Sequence, residues 1–289
     1  MVWFSCITTL GSGKSISSAI KCLSAALVAL VLVAGGCRTG YDYQSATGPR
    51  YAGVRVGAAL DSCANPCRLR VASFNSHFAQ DVDGAIALFT SDPALRGADV
   101  ILLQEMDAAG TQKLANALEM SYVYYPAIFH RRTRRDVGNA VLSPWPIVED
   151  SKLVLPHPSR YAATHRIATS ATLRIGASRV RVYSTHLGTI ADIGARERQD
   201  QLRFIIADAA KHEFVVIGGD LNDGSVGLIV QQAGYTWPTQ HGPRTHRLGR
   251  WDHVFLKGME SPDTAASGTV VDSRGVSDHR PVWAVGILR

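Results

Sequence analysis

From residue 68 to 288 the chain alternates short apolar runs with amphipathic stretches, and each change of period marks an element. Residues 69–74 alternate apolar and polar positions, which predicts a half-buried strand ending at Asn75. Residues 99–103 read as a buried strand that ends in Gln104-Glu105. Further strands are predicted at 122–125, 139–142, 167–175, 179–183, 215–217, 254–256, 269–271 and 282–285. Helical spacing covers 85–90, 110–120 and a longer polar-apolar stretch at 194–210. No repeat period and no linker interrupts this pattern, so about 220 residues form one α/β domain of two sheets.

The stretch Phe214-Val-Val-Ile-Gly-Gly-Asp-Leu-Asn222 concentrates the chemistry. An apolar run bounded by a glycine pair is a short buried strand, and Asp220 and Asn222 follow it. Alternation in extended backbone puts positions i and i+2 on one side. A carboxylate to hold or deprotonate water and an amide to bind a phosphoryl oxygen then leave the strand together. Other apolar runs stop in the same way, at Phe74-Asn75, Leu103-Gln-Glu105, Ser184-Thr-His-Leu187, Arg250-Trp-Asp-His-Val254 and Val276-Ser-Asp-His279. In layered α/β domains the edge where strands end is where sites form. His77 and His253 adjoin these positions, but neighbours in a strand point away, and neither is assigned a role.

The first 36 residues have a different pattern: two lysines, no acidic residue, an apolar run at 23–33, then Ala34-Gly-Gly-Cys37. This describes an export signal of the lipoprotein type, too short for a spanning helix, with Cys37 as the lipidated first residue. An uncleaved anchor is the alternative. Gly11-Ser-Gly-Lys-Ser15 lacks the first glycine and the preceding strand of a phosphate loop. Residues 37–67 read as a tether plus a loop between Cys63 and Cys67, and 68–289 as the folded domain. The two cysteines could close a disulfide in an oxidising compartment, remain free thiols, or, with no other Cys or His close by, less readily bind metal.

Composition adds little to this frame. The 289 residues are 46% hydrophobic, a globular proportion. The formal charge of +6 falls by the two lysines if the leader is removed. That mild basicity permits an anionic substrate without demanding nucleic acid. One dense run, His130-Arg-Arg-Thr-Arg-Arg135, could grip a polyanion or form a solvated loop.

In this order, the Gln-Glu, Thr-His-Leu, Gly-Asp-x-Asn and Ser-Asp-His motifs resemble the endonuclease/exonuclease/phosphatase superfamily, over residues 68 to about 286. The resemblance implies the deoxyribonuclease I-like fold, a four-layer α/β sandwich of two mixed sheets flanked by helices. It implies Mg²⁺ or Mn²⁺ on Glu105, with Asn75 beside it and Asp278 nearby; hard oxygen ligands suit such ions. By position Asp220 orients or deprotonates the attacking water, Asn222 holds phosphoryl oxygens, and His279 contacts the scissile phosphate. Asp252 orients His279, and His186 binds phosphate or helps the leaving oxygen. Arg166 matches a phosphate-binding arginine, and Asn139, in Gly138-Asn139, either lines the site or caps a turn.

The implied activity is hydrolysis of phosphoesters, diesters before monoesters, by an exported monomer held to a membrane by its lipid. Nucleic acid and phospholipid are the candidate substrates; a phosphomonoesterase of the inositol-phosphatase type and a silent anchored binding protein are the alternatives. The short link from Asp220 to Asp252 argues against a deep DNA grip. A lipid substrate calls for apolar lip residues, for which Trp145 and Trp237 are the candidates.

Overall fold

The apolar runs form two mixed sheets in the computed structural model, which describes residues 40–55, 60, 62–64, 66–262 and 266–288. Cys37 and the leader lie outside the described residues. The first sheet runs, side by side, β1 (Gly40–Asp42), β5 (Ser121–His130), β6 (Arg135–Ser143), β4 (Val100–Met106), β3 (Cys67–Asn75), β13 (Val282–Leu288) and β12 (Ser267–Thr269). A short β2 (Tyr51–Gly53) also lies on β5. The second sheet runs β11 (Asp252–Lys257), β10 (Phe214–Asp220), β9 (Ser178–His186), β8 (Ile167–Ile175) and β7 (Ile147–Val154). Parallel pairs, β3 with β4 and β9 with β10, sit among antiparallel ones.

Period-2 alternation sends the two faces of each strand into different layers. Val71, Leu102, Val141, Val182, Val216 and Val254 fill the layer between the sheets. Phe74, Ile101 and Leu103 face outward from the first sheet onto α1 (Val82–Ser91) and α2 (Ala108–Ala117), through Leu88, Phe89 and Leu114. Val215, Ile217 and Phe255 face α3 (Ala195–Ala209) and α4 (Gly227–Gln232), through Leu202, Ile205 and Val230. The result is helix, sheet, sheet, helix. Asp81 and Asp107 cap α1 and α2 by accepting from the amides of Gly84 and Gly110. Among the described residues no helix is long and apolar enough to cross a membrane.

Two expectations need correction. Residues 40–54 are not a free tether. β1 and β2 pair with β5, Asp42 bonds the His165 ring, and Arg50 forms a bidentate pair with Asp150. Lys152 points into this segment and donates to the carbonyls of Tyr43 and Gly48. That lysine is part of β7, a strand the pattern did not reveal. Trp145 and Trp237, the expected lip residues, are buried at 4% and 8% exposure in the central layer and the α3/α4 layer. Of the three readings of Cys63 and Cys67 the disulfide is the one the structure has, and Cys67 begins β3.

Candidate active site

The register brings the polar strand ends together. In the second sheet Asp220 pairs with His186 of β9 on one side and Asp252 of β11 on the other. Asn75 ends β3 of the first sheet and crosses to the second, where its Nδ2 donates to Asp220 Oδ2 at 3.1 Å. Gln104 holds the sheets at this spacing: its Nε2 donates to Ser184 Oγ, which donates to the carbonyl of Leu103. The pairing of β4 with β6 shifts register between Leu103 and Met106, a bulge in which Glu105 has φ of 56°. An extra residue in a bulge re-aims its side chain. So Gln104 serves the interior, while Glu105 Oε2 accepts from the amide of Phe78 and Oε1 faces His186 Nδ1 at 3.6 Å.

Two glycines permit this convergence. Gly219 has φ of 150°, and a Cβ there would collide with the carbonyl of Thr185 on β9. A Cβ on Gly138 would collide with the carbonyl of Tyr125. Asn222 adopts φ of 52°, so it does not follow Asp220 by strand alternation. Its amide N–H donates to Asp220 Oδ1 at 2.9 Å and its Nδ2 to the carbonyl of Leu187. Asn and Asp tolerate this left-handed turn.

Asp220 is the hub. Besides Asn75 and Asn222 it faces His186 Nε2 at 3.3 Å and His279 Nε2 at 3.6 Å. His279 Nδ1 lies 2.8 Å from Asp252 Oδ2. The two histidines are driven in opposite directions. Burial, then the positive charge of Arg166, pushes His186 down to about 3, so it is neutral at pH 7. Burial also opposes charge on His279, but Asp252, Asp220 and Asp278 together outweigh it and push the ring up to about 10. The site thus holds one neutral and one cationic imidazole on either side of one carboxylate.

Arg166 precedes β8, and its charge acts on both Glu105 and His186. It lines a cavity of about 230 Å³ with Glu105, Asn139, His186 and Phe78. Asn139 is buried; its Nδ2 donates to the carbonyl of Ile167. Asp278 stands at the rim, half exposed, 3.7 Å from His77 and 3.9 Å from His246. His77 lies where the chain has left β3 through consecutive left-handed residues, so strand alternation does not govern its direction. His253 does point away, accepting from Trp237 Nε1. His246 was missed entirely. Its ring stacks on His279 at 4.8 Å and on Trp251 at 4.5 Å, yet it comes from a polar loop with no strand to announce it.

The donors suit a hard divalent cation. Burial raises the Glu105 carboxyl, and Arg166 only partly offsets this. A neutral His186 has one N–H to share between Glu105 and Asp220. Glu105 is therefore a partly buried carboxylate short of positive charge, an oxygen ligand of the kind Mg²⁺ and Mn²⁺ prefer. Two other groups, His246/Asp278/His279 and Asp220/Asp252/His279, converge closely enough to hold an ion.

A family model described as the endonuclease/exonuclease/phosphatase family matches residues 71–279. Among solved structures, an endonuclease/exonuclease/phosphatase from Beutenbergia cavernae superposes with TM-score 0.62 at 20% identity, covering 76% of this chain and 72% of that one. TDP2 of D. rerio, humanized by 14 mutations, gives 0.59 at 17%, covering 76% and 98%. Sphingomyelinase C from Streptomyces griseocarneus gives 0.54 at 19%, covering 77% and 99%. At these identities the likeness speaks for the fold. No curated protein matched the chain.

Proposed function

Since this chain belongs to the endonuclease/exonuclease/phosphatase family, we propose that it hydrolyses phosphoesters, diesters in preference to monoesters, with Mg²⁺ or Mn²⁺ as cofactor. The observation that carries the reading is the buried Asp220 placed between a neutral His186 and a cationic His279. Asp220 accepts the proton of an attacking water, held by the amide of Asn222 and by Asn75. His279, kept charged by Asp252, meets the negative charge that develops on the phosphoryl oxygens. The second N–H of Asn222 Nδ2 and the guanidinium of Arg166 serve the same oxygens. His186 orients Asp220 and lies beside the leaving oxygen. Glu105 and Asn75 would hold the cation, which when bound polarises the phosphoryl group.

The test is hydrolysis of bis(para-nitrophenyl) phosphate by the purified protein with Mg²⁺. Chelation by EDTA should stop it, and Mg²⁺ should restore it. Glu105→Gln should raise the Mg²⁺ concentration needed for half-maximal rate, because a neutral amide is a poorer ligand for a hard dication. Hydrolysis that survives EDTA unchanged would remove the metal from the reading.

The reading extends to location: export, followed by lipidation at Cys37. The support is the apolar leader and the small residues before that cysteine. Mass spectrometry of the membrane fraction should find a diacylglyceryl-modified N-terminal peptide starting at Cys37. A mature chain that retains Met1 would contradict it.

A further inference from the structure

We infer that the enzyme has a second phosphate subsite beside the catalytic centre, built from Arg244, Arg247, Arg274 and Arg280, and that its preferred substrates carry an additional phosphate next to the scissile diester. The inference rests on the proposed phosphoester chemistry and deepens it.

These arginines line a concavity of about 430 Å³, bounded by the loop around His246 and the turn before Ser277. None of the four guanidinium groups pairs with a carboxylate among the described residues; their hydrogen bonds, where they make any, go to backbone carbonyls, as from Arg280 to Arg244 and from Arg244 to Arg247. By contrast, Arg160 pairs with Glu197, Arg198 with Asp223 and Arg135 with Asp107. Two acids line the pocket, and both are engaged. Asp272 accepts from the amide of Arg274, and Asp278 faces His77 and His246. The lining thus sets four guanidinium groups against two carboxylates, a net positive charge.

His246 joins the pocket to the reaction centre. It lines the concavity, while its ring lies against His279. A phosphate in the pocket is thus one imidazole away from the residue assigned to the scissile phosphate. Guanidinium groups suit it because their planar forks bind phosphate oxygens in pairs and keep their charge at every working pH. The shared chemistry, a diester with a neighbouring phosphate, occurs both in a nucleotide strand and in a phosphorylated lipid head group.

Two matched pairs of substrates separate these sources. One is the para-nitrophenyl ester of thymidine monophosphate, with and without a phosphate on its other hydroxyl. The other is glycerophosphoinositol with and without a ring phosphate. In at least one pair the additional phosphate should raise kcat/KM by about tenfold or more, the worth of one charge-assisted hydrogen bond. In the double variant Arg247→Gln/Arg274→Gln that preference should collapse toward one. Hydrolysis of the esters lacking the phosphate should persist, which also reports an intact fold. No preference in either pair, or a preference that survives the double variant, overturns the subsite. If no ester is hydrolysed at all, the phosphoester reading has failed separately. Calorimetric titration with thymidine bisphosphate then decides the pocket: binding lost in the double variant upholds it, and binding absent from the native protein or unchanged in the variant overturns it.

Discussion

Replacing His279 by alanine should cut turnover by a factor on the order of hundreds to thousands, the scale of a lost positioned acid–base or electrostatic group. Asp252→Asn should cost less at low pH and more as pH rises. In the native protein Asp252 helps push His279 up to about 10, so the ring stays cationic through neutrality. With the carboxylate gone, burial dominates and the ring loses its proton earlier. The alkaline limb of the kcat/KM profile that reports His279 should move from near 10 toward the ordinary value of 6.5 or below. The double variant should be hardly slower than His279→Ala, because a cationic ring and the carboxylate that keeps it charged serve one step. Multiplicative losses would mean that the two work separately.

Stability should follow the same pair. The Asp252 side chain has no solvent exposure, and its Oδ1 has no hydrogen-bond partner among the described residues. His279→Ala should therefore destabilise by about 3–5 kcal/mol, the cost of stranding a buried charge, and adding Asp252→Asn should recover part of it. A raised folded pKa means that the contribution of His279 is fully present below 6.5 and lost as pH climbs through about 10. Urea titrations across that window measure it.

Asp220→Asn should be at least as damaging to turnover, on the order of a hundred- to ten-thousand-fold, since the amide cannot accept the proton of water. The substitution also sets a donor against donors. Both carboxylate oxygens accept at present, Oδ1 from the amide of Asn222 and Oδ2 from Asn75. An amide supplies one oxygen, so either the Asn222 turn or the link to Asn75 loses its acceptor. The charge of Asp220 also supports protonated His279. Its removal should lower the pKa of that ring, visible in its proton NMR titration. Turnover within tenfold of native would remove Asp220 from the role of base.

The polar strand ends were legible because burial forces a reason on any polar group that stops an apolar run. Asn75, Glu105, His186 and Asp220 satisfy that condition, and neighbouring strands bring them together; Asp252 instead opens β11 opposite Asp220, and His279 lies in the turn before β13. What sequence pattern could not give was anything set by backbone leaving the strand. The bulge that turns Glu105 away from Gln104, the left-handed turn at Asn222 and the one through His77 each break the alternation rule. His246 and the rim position of Asp278 depend on loops, which carry no period. β7 escaped because Glu149, Asp150, Ser151 and Lys152 interrupt its apolar pattern. Asp150 and Lys152 are there for partners about 100 residues earlier in the chain.

Those partners lie in residues 40–54, and they matter to how the molecule meets its own copies. A strand at the margin of a sheet offers unpaired amides and carbonyls to any neighbouring chain. β1 and β2 occupy that margin on β5. Arg50 and the carbonyls of Tyr43 and Gly48 engage β7 through Asp150 and Lys152, at the margin of the other sheet. One short segment thus guards an exposed border of each sheet. A chain trimmed to begin at Arg55 would keep every residue of the reaction centre but lose this guard. It would also leave Lys152 without two of its carbonyl acceptors and invite strand-to-strand association between molecules.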